Sequence, residues 1–375
     1  MHGEPEVVSA DLTFYEIPTE SFGEVSAESD GTARWHSTGM LVVELFAAGE
    51  VGLGYSYTTA AAAQVGRELL VPVVIGGHPF DTARAFWAMA ATVRNQGWPG
   101  VCASAISAFD LALHDLKARL LGTSLTQLLG GARLSVTAYG SGGFTSYSIG
   151  QLEKQFGDWA ADGMRAVKMK VGTHPEDDLA RVRAARAAIG PDVELFVDAN
   201  GAYERKQALA FAQQFADAGV TWFEEPVSSD DLDGLRHLRD RAPGGMRIAA
   251  GEYGYTPSYF HAMLSAGAVD VIQADGTRCG GATVFGIAAA QAQGAAIPLS
   301  AHTAPAIHAS LGAALPNVVN VEYFHDHARI ESLFFDGVPQ LEHGELIPDR
   351  SRPGTGLTLK RGDIDRYLKS GWHSP

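Results

Sequence analysis

Cysteine is nearly missing from this chain: two in 375 residues, too few for a disulfide framework. Cys102 and Cys279 read as small buried fillers in a reducing compartment. Positive charge is scarce as well. With 28 Lys and Arg against 43 Asp and Glu, the formal net charge is −15, which excludes the basic patch that nucleic-acid binding requires. There is no apolar run of the length a membrane span needs, no charged segment followed by an apolar stretch at the start, and no low-complexity tract or short repeat. These absences together lead us to expect a soluble, cytoplasmic protein that engages neither nucleic acid nor membrane. An acidic chain also repels anions, so any anionic ligand must be attracted by local positive groups.

What is present is a ruler of polar residues. Asp198, Glu224 and Glu252 each end a short apolar run (ELFVDAN, VTWFEEP and MRIAAGE), and they stand 26 and 28 residues apart. One strand, one crossover helix and two short loops occupy about that length, so the three acids read as tips of consecutive parallel strands. The ruler extends back to Lys170 and forward to Asp275, His302 and Glu322, with LSVTAYGSGG (134–143) as the opening strand. Eight such strands predict a (β/α)8 barrel, an α/β fold whose strand tips meet at one mouth. Between them, Ala208/Phe211/Ala212/Phe215, Leu232/Leu235/Leu238, Tyr259/Phe260/Met263/Leu264 and an Ala-rich segment from Gly280–Gly281 to about Gln293 have the spacing of jacket helices. Three carboxylates at one mouth suit a hard divalent cation, Mg²⁺ foremost.

Two further groupings carry chemistry. Lys168 and Lys170 are two apart on a strand, so both point inward; mutual repulsion in a desolvated site is expected to lower a lysine pKa and make a general base. His302 and Asp275 end adjacent strands, and an Asp on Nδ1 fixes the tautomer and raises the basicity of an imidazole.

The KMK of 168–170, DAN of 198–200, EEP of 224–226, GE of 251–252, Asp275 with Gly280–Gly281 behind it, and SAH of 300–302 resemble the enolase superfamily, and within it the mandelate racemase subgroup. The resemblance implies one Mg²⁺ on Asp198, Glu224 and Glu252, bases at Lys170 and His302, and a substrate carboxylate held by Lys168 and Glu322. It also implies a homo-oligomer, a dimer or octamer. A divalent cation and Lys168 would stabilise the enediolate formed when a proton leaves the carbon next to a carboxylate.

Residues 1–125 are expected to form an α+β capping domain, with an antiparallel pair over 38–57 and a helix over 101–122. Residues 126–350 form the barrel, and 351–375 return to the cap. Lid loops are expected near 17–35 and 54–58. Asn200, His325 and His327 are available to hydrogen-bond hydroxyls, the two histidines being otherwise a solvated loop after the last strand. A polar mouth favours dehydration of a sugar acid to a 2-keto-3-deoxy acid. The alternative is racemisation or epimerisation of an α-hydroxy acid, since bases on two faces serve both outcomes.

Overall fold

A computed structural model describes residues 5–374; the first four residues of the expected capping domain and residue 375 lie outside it. The capping domain opens with strands β1 (Ser9–Pro18), β2 (Ser37–Ala47) and β3 (Glu50–Tyr57), an antiparallel meander. Ala48 and Gly49, both at positive φ, make the two-residue turn between β2 and β3 that matches strand twist. Helix α1 (Val101–Leu120) packs across this sheet and is buried along almost its whole length. Small residues on β3 allow the approach: a Cβ at Gly54 would stand 2.1 Å from the carbonyl oxygen of Ala108.

The barrel follows as β4 (Val136–Gly142), β5 (Ala166–Lys170), β6 (Glu194–Asp198), β7 (Val220–Glu224), β8 (Arg247–Ala250), β9 (Val271–Ala274), β10 (Leu299–Ala301) and β11 (Val318–Phe324). All eight are parallel, neighbours pair in chain order, and β11 pairs with β4 to close the ring. Strand β12 (Leu368–His373) returns to the cap and pairs antiparallel with β1. Jacket helices include α2 (Ile149–Ala161), α3 (Pro175–Ile189), α4 (Arg205–Asp217), α5 (Leu232–Arg241), α6 (Pro257–Ser265), α7 (Gly281–Gly294), α8 (Pro305–Ala314) and α9 (His325–Phe334). No helix among the described residues is long and apolar enough to cross a membrane.

Two expectations need correction. Residues 54–57 are not a loop but the end of β3, paired with Met40–Val43, because alternate side chains there are buried on both faces. His325 and His327 are not in a solvated loop; they open α9. The 17–35 segment folds into two short hairpins, Glu20–Ser21 with Glu24–Val25 and Glu28–Ser29 with Arg34–Trp35. They rest on the barrel through Ser21–Tyr147 and Ser29–Thr145 hydroxyl contacts of 2.8 and 2.7 Å.

Inside the barrel, Tyr139, Phe196, Trp222, Ala249 and Val271 form a separate apolar cluster. On β6 and β7 the acids Asp198 and Glu224 come two residues after Phe196 and Trp222. The period of two therefore puts a hydrophobic floor directly beneath a charged layer.

Candidate active site

Strand register brings Lys170, Asp198 and Glu224 side by side, paired across β5, β6 and β7. Lys170 Nζ lies 2.5 Å from Asp198 Oδ2. Lys168 Nζ, fully buried, lies 2.5 Å from Glu224 Oε1, 2.9 Å from Glu322 Oε1 and 3.5 Å from Asp198 Oδ2, above the Tyr139 ring at 5.5 Å. Burial opposes both ammonium ions. Glu224 and Glu322 at Lys168, and Asp198 at Lys170, outweigh it and raise both pKa values above that of ordinary lysine. That overturns the expectation of a lysine lowered by its neighbour: at Lys170 the attraction of Asp198 exceeds the repulsion from Lys168.

Asp198, Glu224 and Glu252 each offer an oxygen within 4.8 Å of the others. Indole Nε1 of Trp222 donates to Glu224 Oε2 at 3.1 Å, and the Asn200 N–H to Asp198 Oδ1 at 2.9 Å. Glu252 is not the last strand residue, as the run MRIAAGE implied, but stands two beyond β8. It is reached through Gly251, whose φ of +139° and 2.2 Å gap from a would-be Cβ to the Gln273 carbonyl oxygen admit only glycine. Burial and Asp198 push Glu224 up to about 8. Burial likewise raises Glu225 well above a usual carboxyl; it is 1% exposed, and its Oε1 has no hydrogen-bond partner among the described residues. Three oxygens from anionic ligands, crowded together at a cost in repulsion, are a donor set that fits a hard divalent cation.

His302 stands just past β10. Its Nδ1 is 2.9 Å from Asp275 Oδ2, and its Nε2 is 3.3 Å from Glu252 Oε2 and 3.7 Å from Glu322 Oε2. Burial works against the imidazolium, but Glu252, Glu322 and Asp275 raise His302 to about 9. Burial also works against ionised Asp275, yet the His302 hydrogen bond and charge, with Arg278, hold it below the usual carboxylate range. Glu322 is kept near 2 because Lys168 and His302 overcome its burial. It accepts from Ser141 Oγ at 2.6 Å and from the Thr303 N–H at 3.0 Å.

The other substrate contacts expected from the sequence are placed differently from one another. Asn200 is buried just past the tip of β6, its Oδ1 without a hydrogen-bond partner among the described residues. His327 is buried, and burial holds its pKa well below that of an ordinary histidine; its Nδ1 is 3.4 Å from the Ala304 nitrogen. His325 meets the cap instead, its Nε2 donating to the Glu20 carbonyl at 3.0 Å. The sequence reading passed over Glu225, Ser141, Thr303 and Arg278. Arg278 bridges the two sides, 3.5 Å from both Glu252 and Asp275; its place three residues after the expected Asp275 was the available signal. Ser141 was visible as the residue two before Gly143 on the opening strand, but only barrel closure sets it beside Glu322.

Residues 151–363 match the enolase C-terminal domain-like family, and 30–130 match the mandelate racemase/muconate lactonizing enzyme N-terminal domain. A mandelate racemase/muconate lactonizing enzyme-like protein from Rubrobacter xylanophilus is 49% identical, with a TM-score of 0.94 over 97% of this chain and 100% of that one. The L-talarate dehydratase of Polaromonas sp. JS666, solved with Mg and L-glucarate, is 30% identical, with a TM-score of 0.88 over 99% of each chain. The D-galactarolactone cycloisomerase of Agrobacterium fabrum is 37% identical over 212 residues, a match spanning 56% of this chain and 56% of that protein.

Proposed function

The chain belongs to the mandelate racemase/muconate lactonizing enzyme group of the enolase superfamily, and on that premise we propose that it dehydrates a sugar acid to a 2-keto-3-deoxy acid. The observation that carries this reading is the pair of contacts at the ends of the carboxylate triad. Lys170 touches Asp198 and His302 touches Glu252, so two proton carriers flank one set of oxygens. Asp198, Glu224 and Glu252 would hold Mg²⁺, which supplies positive charge where the enediolate develops.

The chain's own residues do the rest. Lys168 holds the substrate carboxylate, joined by Glu322 once it has taken up a proton, since an ionised carboxylate repels another. Lys170 or His302, each held protonated by its carboxylate contact, would release that proton when Asp198 and Glu252 turn to a bound cation, and then take the α-proton. His302 gives a proton to the departing β-hydroxyl, which leaves as water; the resulting enol tautomerises to the 2-keto acid. Asp275 holds the imidazole by Nδ1, leaving Nε2 for the transfer. The polar side chains gathered there (Lys168, Lys170, Asn200, Arg278, His302, Glu322) support a polyhydroxy substrate, where an aryl acid requires apolar walls. The sugar diacid bound by the Polaromonas neighbour supports the same class. We read residues 1–125 and 351–375 as the cap and 126–350 as the catalytic domain of a cytoplasmic homo-oligomer. Buried free thiols at Cys102 and Cys279 suit that compartment.

A library of five- and six-carbon sugar acids and diacids, incubated with the enzyme and Mg²⁺, tests the proposal by the appearance of 2-keto product. A parallel incubation in D₂O detects α-proton exchange. Deuterium uptake with inversion and no keto product, from sugar acids or mandelate-like acids, would replace the dehydratase by a racemase.

A further inference from the structure

Three consecutive residues of the capping domain, Tyr55, Ser56 and Tyr57 at the end of β3, reach both halves of the His302–Asp275 dyad from behind. Ser56 Oγ donates to the Thr277 carbonyl, and Thr277 donates to Asp275 Oδ1 through both N–H and hydroxyl, each at 2.7 Å. Tyr55 OH donates to Glu331 Oε1 at 2.6 Å, and Tyr57 OH lies 3.4 Å from the same oxygen. The other oxygen of Glu331 accepts the Ala306 N–H at 2.8 Å. The Tyr57 ring stacks on His327 with centroids 3.4 Å apart and planes 12° from parallel, and His327 faces the Ala304 N–H.

The stretch held in this way is the one that needs holding. Directly after His302, Thr303 and Ala304 have φ of 50° and 39°. Side-chain-bearing residues in that region cost about 1–3 kcal/mol each and persist only where their surroundings over-determine them. Here the surroundings are Glu322 on the Thr303 N–H, His308 Nδ1 on the Thr303 carbonyl at 2.7 Å, His327 on Ala304 and Glu331 on Ala306. The last two lead, through α9, to the cap.

We infer that Tyr55, Ser56, Tyr57 and Glu331 are positioning residues for the dyad, so that the capping domain, besides covering the mouth, sets the histidine base. This rests on the reading of His302 and Lys170 as bases on opposite faces. Burial pushes Glu331 up to about 8, which makes glutamine its close isostere and alanine the disruptive change.

The full-length Mg²⁺-loaded enzyme is compared as native protein, Glu331→Ala, Glu331→Gln and the milder Ser56→Ala. Amide hydrogen exchange at 303–306 should quicken by at least about tenfold in Glu331→Ala and return to native in Glu331→Gln. Gluconate and mannonate, which differ only at C2, present the α-proton to opposite faces. In D₂O, Glu331→Ala should lose about tenfold or more of the His302-face exchange through kcat with KM held, and keep the Lys170-face rate. Ser56→Ala should shift the same face in the same direction. Equal loss on both faces, no loss on either, or no recovery with glutamine would overturn the inference. If the native enzyme exchanges neither acid, a C2-epimeric pair that the library shows to be exchanged takes their place, and the two-base reading fails if only one face exchanges in every such pair. Amide exchange then still judges the support: unchanged protection in Glu331→Ala overturns it.

Discussion

The lysine side of the mouth and the histidine side are built by different means. On the lysine side, Lys168, Lys170, Asp198, Glu224, Glu322 and Ser141 all stand on barrel strands, and the pleat alone aims them inward. On the histidine side, Glu252, Asp275, Arg278 and His302 all lie beyond strand ends, on turns fastened from elsewhere. Ser107 of α1 accepts the Gly280 N–H at 2.8 Å, and Asp110 accepts the Thr283 N–H and hydroxyl at 3.0 and 2.7 Å. One side thus inherits its geometry from the barrel, and the other depends on the cap. A rigid lysine and a histidine whose placement can be adjusted through a second domain give the fold a way to vary its chemistry on one side without disturbing the charge-binding side.

The largest effects should come from removing the two residues proposed as proton carriers. Lys170→Met should abolish α-proton exchange on its own face, a loss of about 10²–10⁴-fold for a general base, and His302→Asn should do the same on the other. If either variant lost both faces equally, the division into two sides would collapse. Next is the metal. Glu224→Gln should lower Mg²⁺ affinity by more than about 100-fold, since even a group supporting a ligand costs 10–100-fold. Calorimetry showing undiminished binding would remove Glu224 from the ligand set.

Glu252 is where the two sides meet, and its placement depends on one glycine. In Gly251→Ala the new Cβ would stand 2.2 Å from the Gln273 oxygen at a φ of +139°. Denaturant unfolding should show a loss of about 2–4 kcal/mol. A variant as stable as the native protein would mean that the β8–Glu252 turn can relax, and that the histidine side is softer than its contacts imply.

This division also explains what could be read from the sequence. The barrel strands and their polar tips were legible because one period, a strand plus a crossover, repeats seven times, and each tip follows an apolar β-branched run. Lys168 and Lys170 were legible as a pair because two apart on a strand means one face. The support behind His302 was not. Tyr55 and Glu331 are 276 residues apart, and neither has a local pattern that sets it apart from an ordinary strand tyrosine or helix glutamate. The pKa of the lysines was misjudged for a related reason. Spacing showed the two like charges together, but only ring closure brings Glu322 of β11 to within 2.9 Å of Lys168 on β5.

The effect that is smallest per step of measurement tests the electrical character of the cap's hold on the histidine side. Glu331, ordinarily at 4.5, is pushed up to about 8 by burial. Between those values the folded chain keeps a proton that the unfolded chain has released. Native stability therefore falls as pH rises through that window and levels off above about 8; the slope is at most about 1.4 kcal/mol per pH unit from this group. Glu331→Gln retains an acceptor for the Ala306 N–H and has no proton to lose. Its stability relative to the native protein should rise steadily from pH 5 to pH 8 and then stay level. Glu28, pushed by burial to about 9, titrates over much of the same range but is present in both proteins and cancels in the difference. Urea midpoints at half-unit pH steps measure the trend. A difference that does not change with pH would mean that Glu331 is ionised in the fold, and that Tyr55 and Ala306 hold the histidine turn through a charge and not through a neutral acid.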